Sequence, residues 1–350
     1  MKRTAGAALA ITLSAVHSIV LPSQASTGTG RVIAVHSAGV TSVRFSADGA
    51  TLASADLTGA IELRRAVDWK HLRMLHHGAE VYALAFSADG KTLASSGGDS
   101  VIAIWEVATG KRIRSIREAR RSLAVTFGPS DELLVGTEDG IVHFINPVSG
   151  AERRTLRTGG AVWSLAVSPD GALLATGLPL RVWSYGDSTM RYKPTTLGQL
   201  GVAFARDGRR LVSAESTGGA VLWNLGDSLS YVPLRALVDK RANGPRGPET
   251  FSVNMPIASV DISGDGTRVV GGSTSGDVYV WTAPVGGNSP PSPDRWSGHT
   301  MSVTAIALSP DERIVVSGSL DRSVRVWSTG APSLGATSAR SPTHYLSAKR

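Results

Sequence analysis

The chain has 350 residues, 42% of them hydrophobic and 18% charged, a balance that supports a large buried core and excludes wholesale disorder. Its formal charge is +8, but Lys2, Arg3, Arg340, Lys349 and Arg350 sit at the two ends, leaving 31 basic against 28 acidic residues between them; such a body lacks the charge expected of a polyanion binder. There is no cysteine, which removes disulfides, lipoprotein attachment and thiolate metal centres together.

Residues 1–25 read as a secretory signal peptide: a basic start, an apolar run over residues 5–21 interrupted by Ser14, His17 and Ser18, then a small-residue cleavage region ending at Ala25. Cleavage after Ala25 leaves no stretch long and apolar enough to span a membrane. Residues 26–30 form a short linker.

From there one pattern recurs: an apolar strand, an acidic or glycine turn, and a second apolar strand. It reads VRFSADGATLAS at 43–54, LAFSADGKTLAS at 84–95, VTFGPSDELLVG at 125–136 and LAVSPDGALLAT at 165–176. Three further copies are VAFARDGRRLVS at 202–213, VDISGDGTRVVG at 260–271 and IALSPDERIVVS at 306–317. A third strand follows each: AIEL at 60, VIAIW at 101, IVHFI at 141, LRVW at 180, AVLW at 220, VYVW at 278 and VRVW at 324. Spacings of roughly 40 residues match one four-stranded blade. The expected fold class is therefore all-β, a seven-bladed β-propeller over residues 31–328. Two Gly/Pro-rich segments, 238–256 and 284–293, read as loops. Residues 329–350, rich in Ser and Ala, read as a disordered basic tail.

Gly298-His299, Ser317, Asp321 and Trp327 recur as His77, Ser95, Asp99 and Trp105 at identical internal spacing. With these sets the chain resembles the WD-repeat (WD40) family over residues 32–328. The resemblance implies that each set forms a structural hydrogen-bonded tetrad, that residues 32–35 close the ring as the outer strand of blade seven, and that partners bind on the upper face. Other blades keep the pattern in part. His36 and Ser54 stand with Thr58 and Arg64 in blade one; Asp139 stands with Ile145 in blade three; blade four has Thr176, Trp183 and a shortened turn; blades five and six retain Trp223 and Trp281. Blades one, three and four thus read as the relaxed part of the repeat.

Recurrent His, Ser and Asp could suggest a hydrolase triad, but a catalytic site is assembled once, and no G-x-S-x-G elbow is present. His71, His76 and His77 fit no standard zinc spacing. GGSTSG at 271–276 lies between two strands, so no helix terminus faces a phosphate. The pairs at Arg120, Arg153 and Arg209 form no common stripe with aromatics, which argues against nucleic acid. Within the inner strands only Arg44 and Asp261 are charged, too few to hold a divalent cation. The sequence therefore points to no enzyme, cofactor or metal, with a channel enzyme or small-ligand binder as the alternative.

The expected function is a monomeric, non-enzymatic protein-interaction scaffold, periplasmic or secreted, that binds another protein or peptide on its upper face. Interface energetics favour Tyr, Trp and Arg. Tyr82 and Trp163 occupy equivalent positions where other blades carry Thr41, Leu123, Ala258 and Thr304, and the resemblance places them on that face. Lys240, Arg241 and Arg246 in the long loop, with Glu80 and Arg121 as flanking charges, complete the candidate set.

Overall fold

The computed structural model describes residues 30–194, 199–244, 247–283 and 292–330, without the side chains of 199 and 238–253. The leader, most of the linker, and the tail beyond residue 330 lie outside the described residues, as do 284–291 of the second Gly/Pro-rich segment. No helix among the described residues is long and apolar enough to cross a membrane.

Seven four-stranded antiparallel sheets follow one another along the chain. Blade one is Val40–Phe45, Thr51–Asp56, Ala60–Arg65 and His71–His76, from the inner to the outer strand. Blade seven is completed out of sequence: Arg31–Val35 pairs antiparallel with Ser323–Ser328 and supplies the outer strand. The expected closure is thereby in place, and the hydrogen-bonding edge of Ser323–Ser328 is covered.

The burial pattern explains the sequence pattern. Second strands such as Thr51–Asp56 and Thr92–Gly97 are buried at every residue but the first, because neighbouring blades cover both faces of the sheet. Their residues are accordingly small or apolar without alternation. Outer strands such as Arg112–Arg117 alternate exposed and half-buried residues, as a strand with one wet face must. Blades approach closely where the penultimate residue of a second strand is glycine, as in Ile314–Ser319 and Leu133–Thr137. A Cβ on Gly318 would overlap the Val40 side chain, and one on Gly136 would overlap Val162, so these glycines let the next blade seat.

The recurring S-x-D, followed by Gly or, in blade seven, by Glu312, builds the lower turns. Ser46, Ser168 and Ser309 each donate to the aspartate two residues on, at 2.5, 2.6 and 2.6 Å. Asp48 then accepts the Ala50 amide at 2.9 Å, an Asx turn. Gly49 takes the φ of +70° that the turn requires. The Ser46 hydroxyl, followed by the Ala50 amide, holds the Asp48 carboxyl below its ordinary range.

One segment differs from its reading. Residues 238–256, expected as a loop, contain a β-hairpin, Leu237–Gly244 paired with Gly247–Asn254 in full register from Leu237↔Asn254 to Gly244↔Gly247. The glycines and prolines that suggested a loop cluster at the hairpin tip, whereas Leu-Val and Phe-Ser-Val at its base supply strand formers. The hairpin joins the outer strand of blade five, Leu229–Leu234, to the inner strand of blade six, Ile257–Ile262.

Candidate binding face and central channel

Upper-rim geometry begins with a bulge. The inner strands of blades one, two, three, six and seven each shift register by one residue near the upper end, between Val40/Ser42, Val81/Ala83, Ser122/Ala124, Ile257/Ser259 and Val303/Ala305. A bulge re-aims the extra residue. Here those residues are Thr41, Tyr82, Leu123, Ala258 and Thr304, and all line the mouth of the central channel. Trp163 stands in the same collar but on a different backbone. The inner strand of blade four starts only at Ser164, pairs without a shift and runs four residues. Trp163 is 49% exposed, a large apolar surface facing water.

Glu80, Tyr82 and Arg121, chosen separately from the sequence, come together. The Tyr82 hydroxyl donates to Glu80 Oε1 at 3.0 Å. Arg121 Nε donates to Glu138 Oε2 at 2.8 Å and its guanidinium also interacts with the Tyr82 hydroxyl. Burial, followed by the hydrogen bond to Glu80, raises the Tyr82 phenol above its ordinary value, so it remains a donor at neutral pH. Glu138, on the upper turn of blade three, was not anticipated, because only the fold brings that turn beside Arg121. Lys240 and Arg241 fall on the hairpin strand Leu237–Gly244, but their side chains, and all of Arg246, lie outside the described residues.

Below the collar, Arg44, Ala85, Ala166, Ala203, Asp261 and Ala307 share one layer, each opposite the third residue of its second strand, while Thr126 of blade three pairs one step off, with Leu134. Arg44 is exposed to the channel yet walled in by protein; desolvation lowers its pKa and the field of Asp261 opposes the shift. Asp261 accepts the Leu308 and Ile262 amides at 2.8 and 2.9 Å, while burial pushes its carboxyl upward. Arg44 and Asp261 feel one another's charge but form no ion pair within 4.0 Å. Among the described residues no group of three or more His, Asp or Glu side chains is arranged to hold a metal.

The tetrads are polar ties at the same rim. In blade seven His299 meets Ser317 at 2.8 Å and Asp321 at 2.9 Å, and Trp327 Nε1 donates to Ser317 Oγ at 2.8 Å. Blade two repeats this with His77, Ser95, Asp99 and Trp105 at 2.8, 3.3 and 2.9 Å. Burial lowers the pKa of both histidines. A neutral ring can pass the pattern along, with Trp N–H to Ser, Ser O–H to one ring nitrogen, and the other ring N–H to Asp.

Blade one departs from its reading as a relaxed blade. Asp56, two residues after Ser54, takes the carboxylate role: His36 meets Ser54 at 2.8 Å and Asp56 at 3.3 Å. Thr58, which stands at the usual Asp position, donates to Asp56 at 2.6 Å. The signal was present in the string Ser-Ala-Asp but lay off the expected spacing. Blade six substitutes another network, in which Asp277 accepts from Ser297 at 2.6 Å and from Arg295 at 2.8 Å.

The arginine pairs do not form a free basic stripe: Arg121 is held by Glu138, Arg154 lies 3.5 Å over the Phe144 ring, and Arg210 Nε donates to Asp207 at 2.8 Å. In the histidine cluster, His71 meets Glu62 at 2.8 Å and His77 belongs to its tetrad.

Known proteins share parts of this chain. Residues 29–62, 69–106, 150–192 and 292–328 match the family described as WD domain, G-beta repeat. Protein ROOT INITIATION DEFECTIVE 3 of Arabidopsis thaliana is 42% identical over 73 residues, which cover 21% of this chain and 16% of that protein. Target of rapamycin complex subunit wat1 of Schizosaccharomyces pombe is 24% identical over 226 residues, 55% of this chain and 72% of that protein. A Periodic tryptophan protein 2 homolog of Caenorhabditis elegans is 29% identical over 165 residues, 46% of this chain but only 16% of that protein. The solved structure titled Structure of U3-55K superposes with a TM-score of 0.71 at 20% identity, over 85% of this chain and 98% of that one, a likeness of fold. The chain therefore carries WD40 repeats and folds as a seven-bladed propeller of four-stranded antiparallel blades.

Proposed function

We propose that this propeller is a non-enzymatic protein-interaction scaffold, and that a protein or peptide docks on its upper face at the channel mouth. The observation that carries the reading is Trp163, half exposed in a collar that also presents Tyr82, two blades away, within the Glu80, Arg121 and Glu138 network. Aromatic residues held by a rigid framework lose little entropy on binding and make efficient interface anchors. Lys240 and Arg241, on the hairpin strand Leu237–Gly244, and Arg246 are proposed as further contacts for the partner. One similar protein is named as a subunit of a complex, which agrees with such a role.

Crosslinking in the native host followed by affinity recovery tests this surface. Recovery of the captured partner should fall at least tenfold with the Tyr82→Ala plus Trp163→Ala double variant, whereas equal recovery overturns the assignment. The reading includes export of a monomer to the periplasm or medium, supported by the leader over residues 1–25. Intact mass of the protein recovered from the native host should correspond to a chain beginning at Ser26; a chain retaining the leader would reject the cleavage step.

A further inference from the structure

Three departures from the repeat meet at the lower mouth of the channel. The second residue of the lower turn is Ala47, Ala88, Pro129, Pro169 and Pro310 in five blades, but Arg206 in blade five and Gly264 in blade six. The fourth residue is glycine in five blades, with φ between +65° and +70°; blade three has Asp131 at +57°, a residue type that tolerates this region. Blade seven puts Glu312 there at +63°. A glutamate is strained in that conformation, and strain of this kind collects at ligand clamps.

The three residues share one point. A Cβ on Gly264 would lie 3.1 Å from Arg206 Cζ and Nε and 3.1 Å from Glu312 Oε1, so guanidinium and carboxylate stand over the same bare backbone, no more than twice that distance apart. No ion pair joins them, and the Arg206 guanidinium has no acceptor among the described residues. Glu312 Oε1 accepts the Gly264 amide at 2.7 Å, which leaves Oε2 without a partner among those residues. A cavity of about 260 Å³ opens beside the pair, below the roughly 300–1,000 Å³ of drug-sized pockets and so of amino-acid scale. Its walls include Phe204, Ile262 and Leu308, the last residues of the inner strands of blades five, six and seven. Asp261, three residues up the strand from Gly264, also lines it.

These charges sort ligands. A lone anion would meet Arg206 but also the Glu312 and Asp261 carboxylates, and a lone cation would meet Glu312 but also Arg206. An α-amino acid carries both charges on one carbon, its ammonium nitrogen and carboxyl carbon about 2.5 Å apart, so each can reach its counter-charge at hydrogen-bond distance. We propose that the lower mouth of the channel binds a free α-amino acid with an apolar side chain, its carboxylate on Arg206 and its ammonium on Glu312. The side chain enters among Phe204, Ile262 and Leu308, and Asp261 disfavours an acidic one. This site lies at the end of the channel away from the docking collar and does not depend on it.

Isothermal titration calorimetry on the intact protein tests this with leucine, phenylalanine, glycine and glutamate, and with leucinamide and N-acetyl-leucine, each of which lacks one charge. Leucine and phenylalanine should bind saturably at one site, ahead of glycine, with glutamate weakest, and leucine should bind at least tenfold more tightly than either derivative. Arg206→Gln should abolish the discrimination against leucinamide. Glu312→Gln, whose amide oxygen can still accept from Gly264, should abolish that against N-acetyl-leucine. Glu312→Gly restores the residue most of the other turns use, so Tm should hold or rise while leucine affinity falls at least tenfold. A merely structural Glu312 would not separate those two readouts. No binding by any of the four amino acids at millimolar concentration would overturn the proposal, as would equal affinity for leucine and its derivatives or leucine affinity unchanged by Glu312→Gly. Leucinamide bound more tightly than leucine would make this a cation site and overturn the zwitterion.

Discussion

Blades seven, one and two, on either side of the closing seam, differ from blade four on the far side of the ring. At the seam His299, His36 and His77 each tie a rim loop to the second strand and a carboxylate. The Thr304 hydroxyl donates to the Val40 carbonyl, and that of Thr41 to the Val81 carbonyl at 2.6 Å, stapling seven to one and one to two. Blade four has no rim histidine. Trp183 reaches Thr176 at 3.3 Å, the inner strand is half-buried at all four residues, and the outer strand Met190–Tyr192 has three. A ring joined by non-covalent pairing has its weakest covalent logic at the seam, so polar specificity concentrates there. Trp163 stands in the blade-four sector, where the repeat is least regular.

Removal of the seam strand is the strongest way to break this comparison. Deleting residues 31–35 exposes the edge of Ser323–Ser328 and uncovers Ala34's place in the core. The cost is on the order of 4 kcal/mol or more, a fall in Tm of roughly 5–15 °C. An unchanged melting transition would show that the ring does not depend on its closure.

Next in size is a matched pair of hydroxyl deletions. Ser317→Ala leaves the Trp327 N–H and a His299 nitrogen unpaired in a buried site, at a cost of about 2–3 kcal/mol. Thr176→Val removes the corresponding hydroxyl in blade four while keeping volume, and should cost under about 1 kcal/mol. Urea unfolding of both proteins reads the difference directly; equal midpoints would mean that the tetrad adds nothing beyond the local bond.

Acidification separates the same two sectors more gently. His77 and His299 have folded pKa values lowered by burial, so the unfolded chain binds protons first. Stability from these groups is full above about pH 6.5 and declines as the pH falls below it. Asp321 follows at lower pH. Burial alone would raise its carboxyl, but Ser323, the Thr300 amide and His299 bring it to about 2, so its contribution declines as the pH falls from roughly 4 toward that value. Tm measured from pH 7 to 5 should fall in the wild type and fall less in His299→Asn. Parallel curves would remove the histidines from the seam's energetics.

How much of this the sequence disclosed follows from which interactions are local. Strand pairs and lower turns are encoded within a dozen residues, so Ser46, Asp48 and Gly49 announce the turn they make. Asp56 was missed because a carboxylate two residues from Ser54 can reach His36 as well as one four residues away, and spacing alone cannot display that equivalence. The hairpin was hidden because its Gly/Pro-rich tip outweighed its strand-forming base. Arg44 and Asp261 were each legible as a charge but not as residues that feel one another, since only the ring brings blades one and six within reach. Glu138 meets Arg121 only after the inner strand and upper turn of blade three are brought side by side.

The smallest expected effect completes the contrast. Trp163 contributes its surface to water and the channel mouth and is absent from the buried clusters that join blades three, four and five. Its neighbour Val162 carries the packing instead, fully buried against Gly136 of the blade before. Trp163→Ala should therefore change unfolding free energy by no more than about 0.5 kcal/mol, whereas Val162→Ala opens a cavity worth roughly 1–3 kcal/mol. Adjacent residues would then divide the work, one holding blade four in the ring and the other exposed for recognition. A Trp163→Ala protein as destabilised as Val162→Ala would make Trp163 part of the framework and remove it from the docking surface.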